Sequence, residues 1–165
     1  MAPRVAIDAN ILITGIVWPR WPHEVLNHAV DNDFTLVLSP LVIQEARRRL
    51  QQDFPDLLNR LELFLLTVNY EVAPIPTAEE IADHQDLVRQ AKDVPIALSI
   101  QAAQVDYFVT YDRDFTDAGP TTAKVRQAIP GIMLPPVFLR EVMGWTSEQL
   151  EAIRHRNWSD LEELN

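Results

Sequence analysis

Apolar residues fall along this chain in two patterns, short dense runs rich in β-branched side chains and longer stretches in which they recur at helical intervals. Val5-Ala6-Ile7 is the first dense run, continuous enough for a strand covered on both faces, and it ends abruptly at Asp8 and Asn10. Residues 10–17 and 22–32 then read as helices, the first closed by Trp18-Pro19, the second carrying Val25, Leu26, Ala29 and Val30 on one side. Residues 34–39 form the next strand-like run. Ser39-Pro40 supplies a cap and a first-turn proline for a helix that passes through Glu45 to about Gln52 and stops before Pro55.

The leucine-rich stretch 55–68 predicts a well-buried helix, residues 70–75 a short extended piece, and Thr77-Ala78-Glu79-Glu80 another helix start. A break falls near Lys92, where Asp93-Val94-Pro95 opens a helix with aspartate as cap and Ile96, Ala97, Ile100 and Ala103 facing inward. Residues 106–110 are strand-like and end in Tyr111-Asp112-Arg113-Asp114-Phe115. A helix over 121–128, a last strand over 131–134 and a stop at Pro135-Pro136 follow. This alternation predicts an α/β fold, a three-layer sandwich around a central, mainly parallel sheet.

The composition changes after Leu139, which divides the chain into a body over 1–140 and a C-terminal helical extension over 141–165. Thr146-Ser147-Glu148-Gln149 has the pattern of a capping box, and Leu150, Ile153, Trp158, Leu161 and Leu164 form an interrupted apolar stripe. A helix docked on the body is the plainer reading of the extension; dimer formation, partner binding and occlusion of a site are the others.

Composition narrows the chemistry. The chain has 165 residues, the size of one ordinary domain, and the 47% that are apolar suffice to bury a core. The absence of cysteine excludes disulfides, thiolate metal sites and cysteine nucleophiles, and the four scattered histidines make no helical zinc pair. Oxygen ligands are what remains for a metal. A formal charge of −10 argues against a broad basic face that coats nucleic acid, while leaving room for a small basic patch beside an acidic site. No apolar run is long enough to span a membrane, and the acidic and polar residues at 8 and 10 interrupt any signal-like segment, so a cytoplasmic protein is expected.

Asp8, Glu45, Asp93 and Asp112 each follow a strand or lie in the opening turns of the helix after one, which places all four at one edge of a parallel sheet. Taken singly each has a duller role: Asp8 and Asp93 as caps, Glu45 as a solvated helix residue, Asp112 and Asp114 as a turn. Together, four close negative charges require a compensating cation, and Mg²⁺ or Mn²⁺ is the natural one for a carboxylate set. Such a site suits phosphodiester hydrolysis. Asp114 can complete the ligand set, and Asn10 and Thr110 can support the carboxylates from behind.

Ile7-Asp8-Ala9-Asn10-Ile11-Leu12, Ser39-Pro40-Leu41-Val42-Ile43-Gln44-Glu45, Asp93-Val94-Pro95-Ile96-Ala97-Leu98 and residues 106–115 together resemble the PIN domain. The similarity is to the bacterial, VapC-like members described as toxins of toxin–antitoxin pairs, and it runs from about Val5 to Leu139. It implies a Mg²⁺- or Mn²⁺-dependent ribonuclease with its first strand central in the sheet. Asp8, Glu45, Asp93 and Asp112 match the acidic quartet, Asp114 an additional acid and Thr110 the small hydroxyl residue before the last aspartates. Lys92 departs from the pattern, since relatives often carry an acid there. An antitoxin partner is implied by the resemblance alone.

Arg47, Arg48 and Arg49 follow Glu45, and Lys92 and Arg113 flank two of the acids, so these are the candidates for holding RNA phosphates; the arginine run is also consistent with a solvated face. Trp18 and Trp21 could stack unpaired bases, though packing explains them as well. The apolar content of 10–30 and 55–68 suggests a homodimer through helices. Three other readings compete with a nuclease. A receiver-type phosphotransfer domain would need an acidic dyad on the first strand and a lysine at a late strand end, and a dehalogenase-like phosphatase would need an acid at Asn10. A catalytically silent PIN-like scaffold that binds metal or RNA is the third.

Overall fold

The computed structural model describes residues 2–162. The elements run β1 (Arg4–Ile7), α1 (Ala9–Val17), α2 (Trp21–Val30), β2 (Thr35–Leu38), α3 (Pro40–Asp53), α4 (Leu58–Thr67), β3 (Tyr70–Val72) and α5 (Ala78–Asp83). They continue through α6 (Val94–Ala103), β4 (Tyr107–Val109), α7 (Arg113–Thr116), α8 (Ala123–Ala128), β5 (Ile132–Met133), α9 (Pro135–Glu141), α10 (Ser147–Ala152) and α11 (Trp158–Glu162).

The five strands form one sheet in the order β3-β2-β1-β4-β5, every pair parallel. β1 is the middle strand, the position that the resemblance to the PIN domain implies. Alternation along it divides the core: Val5 and Ile7 join Leu36, Leu38 and the residues of α1 to α4, while Ala6 joins Val37, Phe108 and those of α6 on the opposite face. Helices therefore cover both faces, and the molecule is the expected α/β sandwich.

Local chemistry sets the helix starts. Ser39 Oγ accepts from the Leu41 amide, and Thr77 with Glu80 and Thr146 with Gln149 form complete capping boxes. Three expectations need correction. Pro135-Pro136 ends the strand but also opens α9, because a fixed φ and a missing N–H suit the first helical turn. The 55–68 stretch is divided into a 3₁₀ turn, Pro55–Leu57, and α4. Asp93 occupies the cap position of α6 but does not cap it with its side chain: it closes a 3₁₀ turn (Ala91–Asp93) in helical geometry (φ −91°, ψ −8°), so the carboxylate makes no capping bond and is free for other use.

The extension after Leu139 packs on α1 and α2. Trp158 Nε1 donates to Val17 O, Trp21 Nε1 to Leu150 O, and Trp145 Nε1 to His28 Nε2, each at 2.9 Å. The last bond fixes the imidazole with its proton on Nδ1, which then donates to Asp33 at 2.7 Å. Leu150 joins the core of the α1–α4 face, and Leu164, the last residue of the predicted stripe, lies outside the described residues. No helix among the described residues is long and apolar enough to cross a membrane.

Candidate metal centre

The carboxyl ends of β1 and β4 lie side by side, since Asp8 N extends the ladder by donating to Val109 O at 3.1 Å. That single bond sets Asp8 beside the chain that leads to Asp112. Asp8 is 7% exposed and its oxygens are divided between two donors, the Ala9 amide on Oδ1 (2.7 Å) and the Thr110 hydroxyl on Oδ2 (2.8 Å). Thr110 Oγ1 also accepts from the Asp112 amide at 2.9 Å, so one buried hydroxyl ties the first acid to the backbone of the last. Asp112 Oδ1 in turn caps α7 through the Asp114 amide at 2.9 Å.

Asp8, Glu45, Asp93 and Asp112 line one cavity of about 530 Å³. Three acids, Asp93, Asp112 and Asp114, each offer an oxygen within 4.8 Å of the others, a set that could hold a cation. The chemistry of the donors fits one. Asp93 Oδ2 is buried and has no hydrogen-bond partner among the described residues, and burial together with Asp112 and Asp114 pushes its carboxyl up to about 7, against a smaller opposing effect of Lys92. Asp8 is also raised, by burial first and then by Asp112 and Glu45, with the Thr110 and Ala9 bonds pulling the other way.

Other predicted residues are only partly gathered here. Arg48 and Arg49 line the cavity and Arg47 does not, because positions three and four beyond Glu45 share its helix face whereas the second points round the helix. Arg47 pairs instead with Glu62 at 2.6 Å. Both oxygens of Glu45 are engaged by Arg48, at 2.9 and 3.2 Å. Asn10 lines the cavity, but its Oδ1 accepts from Arg49 Nη1 at 2.7 Å and supports an arginine where a carboxylate was expected. Lys92 is at the rim, while Arg113 is 83% exposed and paired with Asp117.

Sequence reasoning missed Arg89. Its guanidinium donates to Asp114 Oδ1 (2.9 Å), the Arg113 carbonyl (2.6 Å) and Asp117 Oδ2 (3.3 Å), anchoring the turn that carries the last two acids. Asp114 is thus shared between the acid cluster and a cation, which distinguishes it from Asp93.

No family model and no curated protein sequence matches the chain. Solved structures do. PAE2754 from Pyrobaculum aerophilum superposes with a TM-score of 0.60 at 16% identity, over 88% of this chain and 98% of that one. VapBC2 from Rickettsia felis, solved bound to a DNA fragment from their promoter, gives 0.53 at 17% identity, over 79% of this chain and 96% of that one. The shared architecture is the PIN-like α/β sandwich.

Proposed function

We propose that the chain is a Mg²⁺- or Mn²⁺-dependent endoribonuclease, the toxin of a toxin–antitoxin pair, with Asp8, Glu45, Asp93 and Asp112 as its acidic quartet and Asp114 as an added acid. The observation that carries this reading is the orphaned Asp93 Oδ2, buried in a cavity shared with three more acids. A free carboxylate oxygen there is costly without a cation.

Asp93, Asp112 and Asp114 would hold the ion, with Asp8 beside them. When bound it would supply charge neutralisation, a water of lowered pKa and polarisation of the phosphoryl oxygen. The chain's own groups do the rest. Thr110 fixes the Asp8 carboxylate and the Asp112 backbone in one geometry. Arg48, Arg49 and Lys92 present cations at the cavity wall, where they can receive the phosphates on either side of the scissile bond. Glu45 reaches the site once Arg48 turns to a phosphate.

Single-stranded RNA is the substrate class that fits this cavity and its small basic rim. An antitoxin protein and a second copy of the chain are the proposed partners, and α4 offers them apolar surface through Leu63 (65% exposed) and Leu66 (85%). The fold's likeness to the VapBC2 structure supports the toxin reading.

The test is cleavage of a mixed single-stranded RNA pool with Mg²⁺, Mn²⁺ or EDTA. We expect Mn²⁺-stimulated cutting by the wild type and a loss of about 10²-fold or more in Asp8→Asn and Asp112→Asn, with the fold retained by circular dichroism. Undiminished cleavage by both variants sinks the assignment. Metal binding measured by calorimetry with no turnover of any RNA would instead favour the silent scaffold.

A further inference from the structure

The proposed nuclease reading leaves a second cleft unused. It encloses about 300 Å³, at the lower end of the volumes that accept small molecules, and lies where the C-terminal extension meets α1. Trp18, Trp21 and Tyr111 supply its aromatic faces, Arg20 and Arg154 its guanidinium groups, and His155 an imidazole. Trp18 is 43% exposed and Tyr111 37%, so both rings are open to a ligand. Each tryptophan already carries a guanidinium: Arg20 lies 5.0 Å from the Trp18 ring and Arg154 lies 5.9 Å from the Trp21 ring.

These cations are not consumed by strong pairing. Among the described residues Arg154 reaches one carboxylate, Glu151, at 3.5 Å, and it stays 53% exposed. Arg20 donates to the Arg156 carbonyl and to Asn157, neither of them charged. In a chain of net charge −10, the basic triplet Arg154-His155-Arg156 opposite two tryptophans is a local reversal of sign. Arg156 itself is occupied by Glu24 at 2.6 Å and serves to fasten the extension.

The cleft adjoins the carboxylate cavity along two paths. Tyr111 immediately precedes Asp112. On α1, Thr14 lines the cleft while Asn10, four residues or about 6 Å earlier, lines the cavity, and the Thr14 hydroxyl donates to the Asn10 carbonyl at 2.6 Å.

We propose that this cleft is a single-stranded RNA subsite, in which a base beyond the scissile phosphate stacks on Trp18 and Tyr111 while Arg154 and His155 receive the adjoining phosphate. The inference rests on the RNA reading of the carboxylate cavity. Stacking requires an unpaired base, since every base in a duplex already has its neighbours. The extension therefore completes the substrate track: two of its residues take part in binding, and Leu150 and Trp158 hold them in place.

Fluorescence anisotropy of a short, end-labelled single-stranded RNA with the full chain tests this, with Ca²⁺ in place of a catalytic metal. Trp18→Ala is expected to weaken binding about tenfold, as expected for loss of one stacked base, Trp18→Phe to restore most of it, and Arg154→Glu to weaken it about tenfold. Arg154 is exposed, so that variant does not depend on the packing around Trp18. Absence of RNA binding by the wild type, wild-type affinity in both Trp18→Ala and Arg154→Glu, or equal affinity for the same sequence as a duplex overturns the subsite. The outcomes separate the two readings. Trp18-dependent binding with no cleavage in Mn²⁺ leaves the subsite standing and removes the nuclease, whereas Asp112-dependent cleavage with unaltered binding by both variants does the reverse.

Discussion

Two acids of the site resist ionisation, both chiefly because they are buried. Asp8 is almost wholly enclosed, and its two donors only partly offset the burial. Asp93 is less enclosed, yet burial is still the largest cause of its shift, and Asp112 and Asp114 add to it, together lifting the carboxyl from 3.8 to about 7. Because the folded value lies above the unfolded one, Asp93's protonation stabilises the metal-free chain at low pH, and that contribution disappears as pH rises through about 7. We predict that in EDTA the melting temperature falls across that interval, and that Asp93→Asn flattens the fall. Solvent screening reduces the full linkage value, leaving a gain of about 1–2 kcal/mol, or about 2–8 °C, for the variant above pH 7. Equal melting temperatures for wild type and variant at alkaline pH would contradict the role given to Asp93. Thr110 gives the complementary test. Removing its hydroxyl in Thr110→Val deprives Asp8 of a donor and the Asp112 amide of an acceptor, and should cost about 1–3 kcal/mol by urea denaturation, with Thr110→Ser recovering most of it. If the valine variant is as stable as wild type, the bridge is not a structural support.

At the scale of elements, α3 places one acid and two arginines on the same face, and the acid is paired before any ligand arrives. Metal at Glu45 and Arg48 at Glu45 are then alternatives. Arg48→Ala should bind Mn²⁺ about 1.4- to 5-fold more tightly by calorimetry, the range of an exposed ion pair, and should lower the salt dependence of RNA binding by about one unit of slope. Weaker Mn²⁺ binding by the variant would show that the arginine supports the site. What the sequence disclosed of such elements follows the range of the interactions. Ser39-Pro40, Thr77 to Glu80 and Thr146 to Gln149 carry their capping partners within a few residues, and those helices start where the pattern puts them. β1 was legible as a strand from its apolar run, whereas its place at the centre of the sheet needed a family resemblance. Asp93 misled because Asp-x-Pro looks like a cap locally, and only the preceding 3₁₀ turn shows otherwise. Arg89 was invisible, since Asp114 and Asp117 lie 25 and 28 residues away and only the fold joins them.

For the whole molecule the question is whether the extension is an attachment or part of the core. Leu150 and Ile153 are each 8% exposed, and burial of two such side chains contributes about 3–6 kcal/mol at most. The indole N–H groups of Trp145 and Trp158 and the Arg156–Glu24 pair add directional ties to α1 and α2. Since single domains are stable by only about 5–15 kcal/mol, removing these contacts leaves little margin. Truncation after Met143 should therefore lower stability by about 3–6 kcal/mol in urea, and the full chain should unfold in one transition, because the extension shares the core of the α1–α4 face. A first, separate transition assigned to the extension by tryptophan emission, followed by a second at the midpoint of the truncated chain, would mark it as an independent attachment. The binding cleft makes the same argument from function. Arg154 and His155 come from the extension and the aromatic residues and Arg20 from the body, so the truncated chain should lose affinity for single-stranded RNA even where it remains folded.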